Sequence, residues 1–411
     1  MKKLEKSVPV IRFKGFSEAW EQRKLEELAA FSKGSGYTKN DLVEKGMPLV
    51  LYGRLYTKYE TIITEVNTFT KMKDKSVISK GNEVVVPSSG ETAKDISRAS
   101  VIGAEGFILG GDLNIIKPKR ELNSIFLALT ISNGEQQKEI IKRAQGKSVV
   151  HVYNTDLKQV KLSYPTFNEQ EKIGSFFRQL DNAIALHQHK LDTLKQMKKG
   201  FSQQIFPEND RKKPKIRFNS FCEEWEQRKI GEYGYFYYGK SAPKWSVTQD
   251  ATTPCVRYGE LYTKFGPEID IVHSYTNIDK SNLKFSSGNE VLVPRVGENP
   301  LDFANCSWLS LSNVAIGEMI SVYNTEQYPL FIAYYFRSKM KYEFAKRVEG
   351  GNVSNLYYSY LEDILISVPS IDEQKKIAEF LNKIDITINL LQNKLDRIKE
   401  LKKAYLLNMF I

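Results

Sequence analysis

The chain is written twice, and that duplication confines it to two copies of one fold. Pro9-Val-Ile-Arg-Phe-Lys-Gly-Phe-Ser-Glu-Ala-Trp-Glu-Gln-Arg-Lys24 returns as Pro214-Lys-Ile-Arg-Phe-Asn-Ser-Phe-Cys-Glu-Glu-Trp-Glu-Gln-Arg-Lys229. Tyr52-Gly-Arg-Leu-Tyr-Thr-Lys58 returns as Tyr258-Gly-Glu-Leu-Tyr-Thr-Lys264, and Gly81-Asn-Glu-Val-Val-Val-Pro-Ser-Ser-Gly-Glu91 as Gly288-Asn-Glu-Val-Leu-Val-Pro-Arg-Val-Gly-Glu298. Glu169-Gln170 reappears as Glu373-Gln374. The starting positions (9 and 214, 52 and 258, 81 and 288, 169 and 373) keep the offset between 204 and 207 residues. Two tandem modules therefore account for all 411 residues.

Each module opens on short apolar runs broken by turn residues. Val84-Val85-Val86 and Val291-Leu292-Val293, set between Gly-Asn and Pro, read as strands; Ile125 to Ile131 and Leu330 to Phe336 read as helices. A mixed α/β domain follows for each module. Its tail is a different kind of sequence. Ile173, Phe177, Leu180, Ile184, His187, Leu191, Leu194, Lys198, Phe201 and Ile205 step by four and three alternately. Ile377, Leu381, Ile384, Ile388, Leu391, Leu395, Ile398, Lys402, Tyr405 and Met409 keep the same beat. That is a heptad seam, interrupted in composition only by Gly174 and Gly200 of the first copy. Pro165 and Pro369 end the preceding strands, and Asn168 and Asp372 are the expected N-caps. Each helix spans about 37 residues, roughly 55 Å, and neither hides its seam alone, so the two are expected to pack together within the chain. The expected boundaries are a first domain over 1–164, a helix over 165–206, a polar linker over 207–213, a second domain over 214–368 and a helix over 369–411.

Composition narrows the function. Sixty Lys and Arg against 49 Asp and Glu give +11, which favours an anionic partner, nucleic acid first. Cys222, Cys255 and Cys306 are too scattered for a disulfide framework or a thiolate zinc site, so a reducing cytoplasm is expected. Met1 to Lys6 lacks a signal-like apolar stretch, and no apolar run is long enough to span a bilayer. No phosphate-binding G-x-x-x-x-G-K-[ST] loop, no strand-linked G-x-G-x-x-G and no metal-ligand spacing among His151, His187, His189 and His273 is present. The Asp/Asn-Pro-Pro-Tyr/Phe tetrapeptide of amino-methyltransferases is also missing, and the Glu-x-Lys pairs at 373–375 and 400–402 fall on the helices. An enzyme has almost nothing to work with here; a bipartite binder has two basic heads.

The most informative comparison is between the copies. Repeated residues hold the scaffold, and residues that differ inside a repeated frame are candidates for reading different sequence. Arg54 is exchanged for Glu260, a pair suited to guanine and to the cytosine amino group respectively. Ser88-Ser89 is exchanged for Arg295-Val296, and Lys147, Ser148 and His151 give way to Gly351, Asn352 and Asn355. Tyr56, Lys58, Tyr262 and Lys264 repeat, which suits phosphate contact or packing equally. Trp20 and Trp225 are expected to anchor the core rather than stack on bases. Lys190, Lys195, Lys199, Lys394, Lys399 and Lys403 are expected to be solvated helix flanks.

This combination resembles the DNA-specificity subunits of type I restriction–modification systems. The residues that carry it are Arg12-Phe13-x-x-Phe16-x-x-x-Trp20 and Arg217-Phe218-x-x-Phe221-x-x-x-Trp225, then the stretches from Gly146 and Gly350 into Pro165-x-x-x-Glu169-Gln170 and Pro369-x-x-x-Glu373-Gln374, then the heptads. A doubled proline common before Glu-Gln in that family is single here, with Thr166 and Ser370 following. The resemblance covers the whole chain. It implies two target recognition domains, an antiparallel intramolecular coiled coil acting as a ruler, pseudo-two-fold symmetry, and one half of an asymmetric split site read by each domain. It further implies docking of two modification subunits that use S-adenosylmethionine, and of two restriction subunits that use ATP and Mg²⁺, with no cofactor bound by this chain itself. The rival readings are a stand-alone bivalent DNA-binding regulator and a scaffold that does not bind DNA; steep salt dependence of DNA binding separates the second from the others.

Overall fold

The computed structural model describes residues 8–208 and 211–410; the charged start Met1 to Lys6, the linker residues Asn209 and Asp210, and Ile411 lie outside the described residues. The chain divides into two compact units. One holds the residues up to Gln188 together with those from Asn393 onward, the other the stretch from His189 to Gln392.

In the first unit Val84–Pro87 is the middle strand of a five-stranded sheet, flanked by Leu113–Pro118 and Ser100–Ile102, with Ala29–Lys33 and Ile62–Ile63 at the edges. All three valines are fully buried, as expected of a strand covered on both faces. A second five-stranded sheet runs Leu42–Val43, Phe69–Thr70, Met47–Val50, Glu105–Leu109, Ile78–Lys80. The second unit repeats the first sheet as Gly234–Tyr238, Ile320–Thr325, Glu290–Pro294, Ser307–Leu309, Glu268–Ile269. Its second sheet has four strands, Ser274–Thr276, Thr253–Val256, Ser312–Ile316 and Phe285–Ser287.

The expected helices form as Ser124–Ile131 and Pro329–Lys339. Asn123 caps the first, its side-chain oxygen accepting from the amides of Ile125 and Phe126 at 3.0 and 3.1 Å. Proline at the first turn sets the second. Trp20 packs edge-on against Phe126, and Trp225 against Phe331 with centroids 5.8 Å apart, so both tryptophans anchor the core.

The repeated motifs lock each module shut. Glu21–Lys24 pairs antiparallel with Lys161–Tyr164, and Glu226–Lys229 with Leu365–Val368, joining the start of a module to its end. Arg12 then grips Glu169 through Nε and Nη2, both at 2.7 Å, and Arg217 grips Glu373 with the same two distances. Next to them, Gln170 accepts from the amide of Asn123 at 2.9 Å and donates to the Pro165 carbonyl; Gln374 does the same with Tyr328 and Pro369. The Glu-Gln pair is thus a structural clasp.

The long helices run Phe167–Gln204 and Ile371–Asn408, 38 residues each and about 57 Å long. They start two residues earlier than N-caps at Asn168 and Asp372 would place them: the carbonyls of Thr166 and Ser370 accept the amides of Gln170 and Gln374, so Thr166 and Ser370 stand at the N-cap positions. Every seam position of both heptads is buried or half-buried. Within the first unit the front of the first helix lies antiparallel to the rear of the second: Phe176 meets Tyr405 edge-on at 5.0 Å, and the Lys402 ammonium pairs with Asp181. Within the second unit Phe201 meets Phe380 at 5.1 Å, and Lys198 Nζ lies 2.5 Å from Asp385. The lysines in the apolar seams are therefore ion-pair partners of the facing helix. His187 is half-buried, with Nδ1 unpartnered.

The helix ends are exchanged: Ile205 and Phe206 enter the core of the second module, while Met409 and Phe410 enter that of the first. The linker is also tied down where it is described. Pro207 is buried, the amides of Lys215 and Ile216 donate to the Gln204 carbonyl, and that of Trp225 donates to Lys212.

Candidate nucleic-acid interface

A small antiparallel sheet in each module lies in or beside the loops singled out above, and Ser89, His151 and Asn355 are among its residues. In the first module Ser89–Gly90 pairs with Val150–His151, bringing Ser89 opposite His151. In the second, Val296–Gly297 pairs with Ser354–Asn355, which also pairs with Glu349–Gly350. Ser88 is held by two backbone bonds, its amide to Asp112 O at 2.8 Å and its carbonyl from the amide of Val152 at 3.1 Å. Arg295 has the same frame, its amide to Met319 O at 3.1 Å and its carbonyl from Leu356 at 2.9 Å. One backbone therefore carries serine in one module and arginine in the other.

Lys147, Ser148 and Asn352 are exposed on the neighbouring turn; His151 and Asn355 are half-buried, and Ser88 is buried. That turn depends on Gly146 and Gly350, whose φ values are +113° and +115°. A Cβ on Gly350 would stand 2.6 Å from the Val353 carbonyl oxygen. Gly350→Ala is accordingly expected to cost about 1–3 kcal/mol locally and to open the hairpin. Hydrogen exchange over residues 345–356 checks this, and unchanged protection there would contradict it.

The Tyr-Gly-x-Leu-Tyr-Thr-Lys frame folds as the helical turns Arg54–Thr57 and Tyr258–Thr263, and its variable position has internal partners in both modules. Glu260 is only 5% exposed, and its carboxylate accepts from the Arg257 amide at 3.0 Å, Lys264 Nζ at 2.9 Å and Ser274 Oγ at 2.7 Å. It caps its own helix. Arg54 likewise turns inward, Nη2 lying 2.6 Å from Glu60 and 2.9 Å from the Glu65 carbonyl. The Arg-for-Glu exchange is a change of internal partner. Tyr262 donates its hydroxyl to Val296 O at 2.9 Å, and burial pushes its phenol well above the ordinary range, so it is a strut under the loop that carries Arg295. Tyr56 is half-buried and its phenol is raised by burial, more mildly. Lys58 is exposed and 3.4 Å from Glu60, while Lys264 is tied to Glu260.

Among the described residues no three His, Cys, Asp or Glu side chains gather to hold a metal. Burial raises the Cys255 thiol to about 11, leaving it protonated at neutral pH. No helix among the described residues is long and apolar enough to cross a membrane. Four side chains beside the small sheets were not singled out in the sequence: Lys33 and Tyr238, placed by the register of the five-stranded sheets, and Tyr153 and Tyr357, two residues beyond His151 and Asn355.

Two repeated α/β modules, a shared loop platform with exchanged side chains, a basic chain and heptad helices define a tandem recognition protein. The model of the type I restriction modification DNA specificity domain matches twice, at residues 17–196 and 222–400, and the chain belongs to that family. It is similar to two Methanocaldococcus jannaschii chains that bear the names of type I restriction enzyme specificity subunits. The one named for MjaX is 25% identical over 94% of this chain and 91% of its own, the MjaVIII one 22% over 82% and 80%. The fold is shared with the S subunit of a type I restriction–modification system from M. genitalium, with a TM-score of 0.62 at 13% identity, covering 98% of this chain and 99% of that one.

Proposed function

We propose that each module reads one half of a bipartite, asymmetric site in double-stranded DNA, and that the long helices set the spacer between the halves. The chain supplies specificity and no catalysis. It docks two methyltransferase (modification) subunits, and the full assembly adds two restriction subunits. S-adenosylmethionine, ATP and Mg²⁺ serve those partners in the cytoplasm. One observation carries this reading: identical backbone bonds hold residues 88 and 295 while the side chain changes from serine to arginine. A scaffold kept constant beneath an exchanged reading position is what two unlike half-sites require, with Lys and Arg elsewhere gripping phosphates.

Mapping methylated adenines in cells that carry the chain with its modification subunit, against cells lacking only the chain, tests it. A split, asymmetric motif that disappears with the chain is the expected result. Specific, salt-sensitive DNA binding by the chain alone, with no chain-dependent methylation, would favour a stand-alone regulator instead.

A further inference from the structure

Sheet register makes positions in the two modules equivalent without appeal to sequence likeness. Lys33 pairs with Asn114, which pairs with Val86; Tyr238 pairs with Ser321, which pairs with Val293. Ser88 and Arg295 lie two residues beyond those valines in the shared backbone frame. Tyr153 and Tyr357 each follow the residue, Val152 or Leu356, that donates into that frame. Three places therefore correspond: Lys33, Ser88 and Tyr153 in the first module, Tyr238, Arg295 and Tyr357 in the second.

Both modules put a cation over the tyrosine of this trio, and they draw it from different places. In the first, Lys33 Nζ lies 5.7 Å from the centroid of the Tyr153 ring, and Ser88 is too small and too buried to compete. In the second, tyrosine occupies the place of Lys33, and the Arg295 guanidinium lies 4.6 Å from the Tyr238 ring and 5.6 Å from the Tyr357 ring. Its Nε is buried with no hydrogen-bond partner, and among the described residues no carboxylate comes within ion-pair distance of it. The guanidiniums of Arg12, Arg54 and Arg217 are instead tied to carboxylates, although the Nε of Arg54 is also buried without a partner.

We propose that this cation-on-tyrosine position is the main base-reading position of each module, and that Arg295 reads a guanine in the second half-site. The inference rests on the function proposed above and deepens it. A guanidinium matches guanine O6 and N7 with two parallel N–H donors, and aromatic neighbours limit the orientations it must give up on binding. A phosphate accepts from many directions and has no need of such a frame. Lys33 offers a single-point donor at the same place, so the two modules read differently. Tyr238 and Tyr357 are positioning residues.

The test maps methylated adenines in cells carrying the modification subunit with wild-type chain, Arg295→Ala or Arg295→Lys. The lysine variant keeps the charge and guards against misfolding of the first. For both, the first half of the motif is expected to stay intact while one guanine of the second half loses roughly 5- to 150-fold of its discrimination. Unchanged base preference in both halves overturns the assignment. Uniform weakening at all sites with preference retained, together with a shallower salt dependence of DNA binding by the purified complex, makes Arg295 a phosphate contact and also overturns it. If wild-type chain directs no motif, the functional reading itself fails and this inference falls with it; the wild-type arm separates that case.

Discussion

Inserting one heptad into each long helix is expected to lengthen the spacer of the methylated motif by about one to three base pairs. Seven residues add about 10.5 Å, the rise of about three pairs, while the duplex turns roughly 35° per pair and the reading heads must follow that turn. A heptad preserves the seam, because the apolar residues of both helices recur with that period. Placed among residues 186–190 and 390–394, the insertions leave Lys198 facing Asp385 and Lys402 facing Asp181. An insertion in one helix alone shifts those lysines past their carboxylates and should abolish methylation. Mapping methylated adenines reads the spacer directly, and a doubly extended, active variant that keeps the original spacing would count against the ruler.

Arg217→Ala is expected to cost about 3–5 kcal/mol, the range for breaking a buried pair from one side. Glu373 is 1% exposed and both of its oxygens are bound by Arg217, so alanine strands a buried carboxylate. The pair also ties the opening segment of the module to the start of its helix, next to the strand pairing of Glu226–Lys229 with Leu365–Val368. Protection from hydrogen exchange in Leu365–Val368 and the first turns of the helix from Ile371 should therefore fall by about two to four orders of magnitude. Arg217→Lys keeps a charge but makes at most one of the two bonds, so its loss is expected to be smaller. Loss of less than about 1 kcal/mol in the alanine variant would show that the clasp is not structural.

Much of this protein was legible in one dimension. Duplication, strand runs such as Val84 to Val86, the tryptophan anchors and the two heptads are local patterns, and local period states which face is buried. Even the polar members of the seam were visible as Lys198 and Lys402, though not their partners. The candidate reading residues were harder. Of those on the loops, Ser89, His151 and Asn355 lie in the small sheets and Arg295 immediately precedes one, a juxtaposition no linear pattern displays. Arg54 and Glu260 stood out for the same reason, exchange within a repeated frame, yet both turn inward.

What the sequence by itself determined is the pair of modules, their mixed α/β character, the helices and the family they resemble, because each follows from repetition or periodicity along the chain. Only the tertiary structure decided what covers each buried face. Ile205-Phe206 and Met409-Phe410 close similar helices, and either pair suits either core by composition; the antiparallel course of the helix halves within each unit sends them to exchanged cores. Register across strands, invisible to a linear pattern, is likewise what brings Lys33 to Tyr153 and Arg295 between Tyr238 and Tyr357.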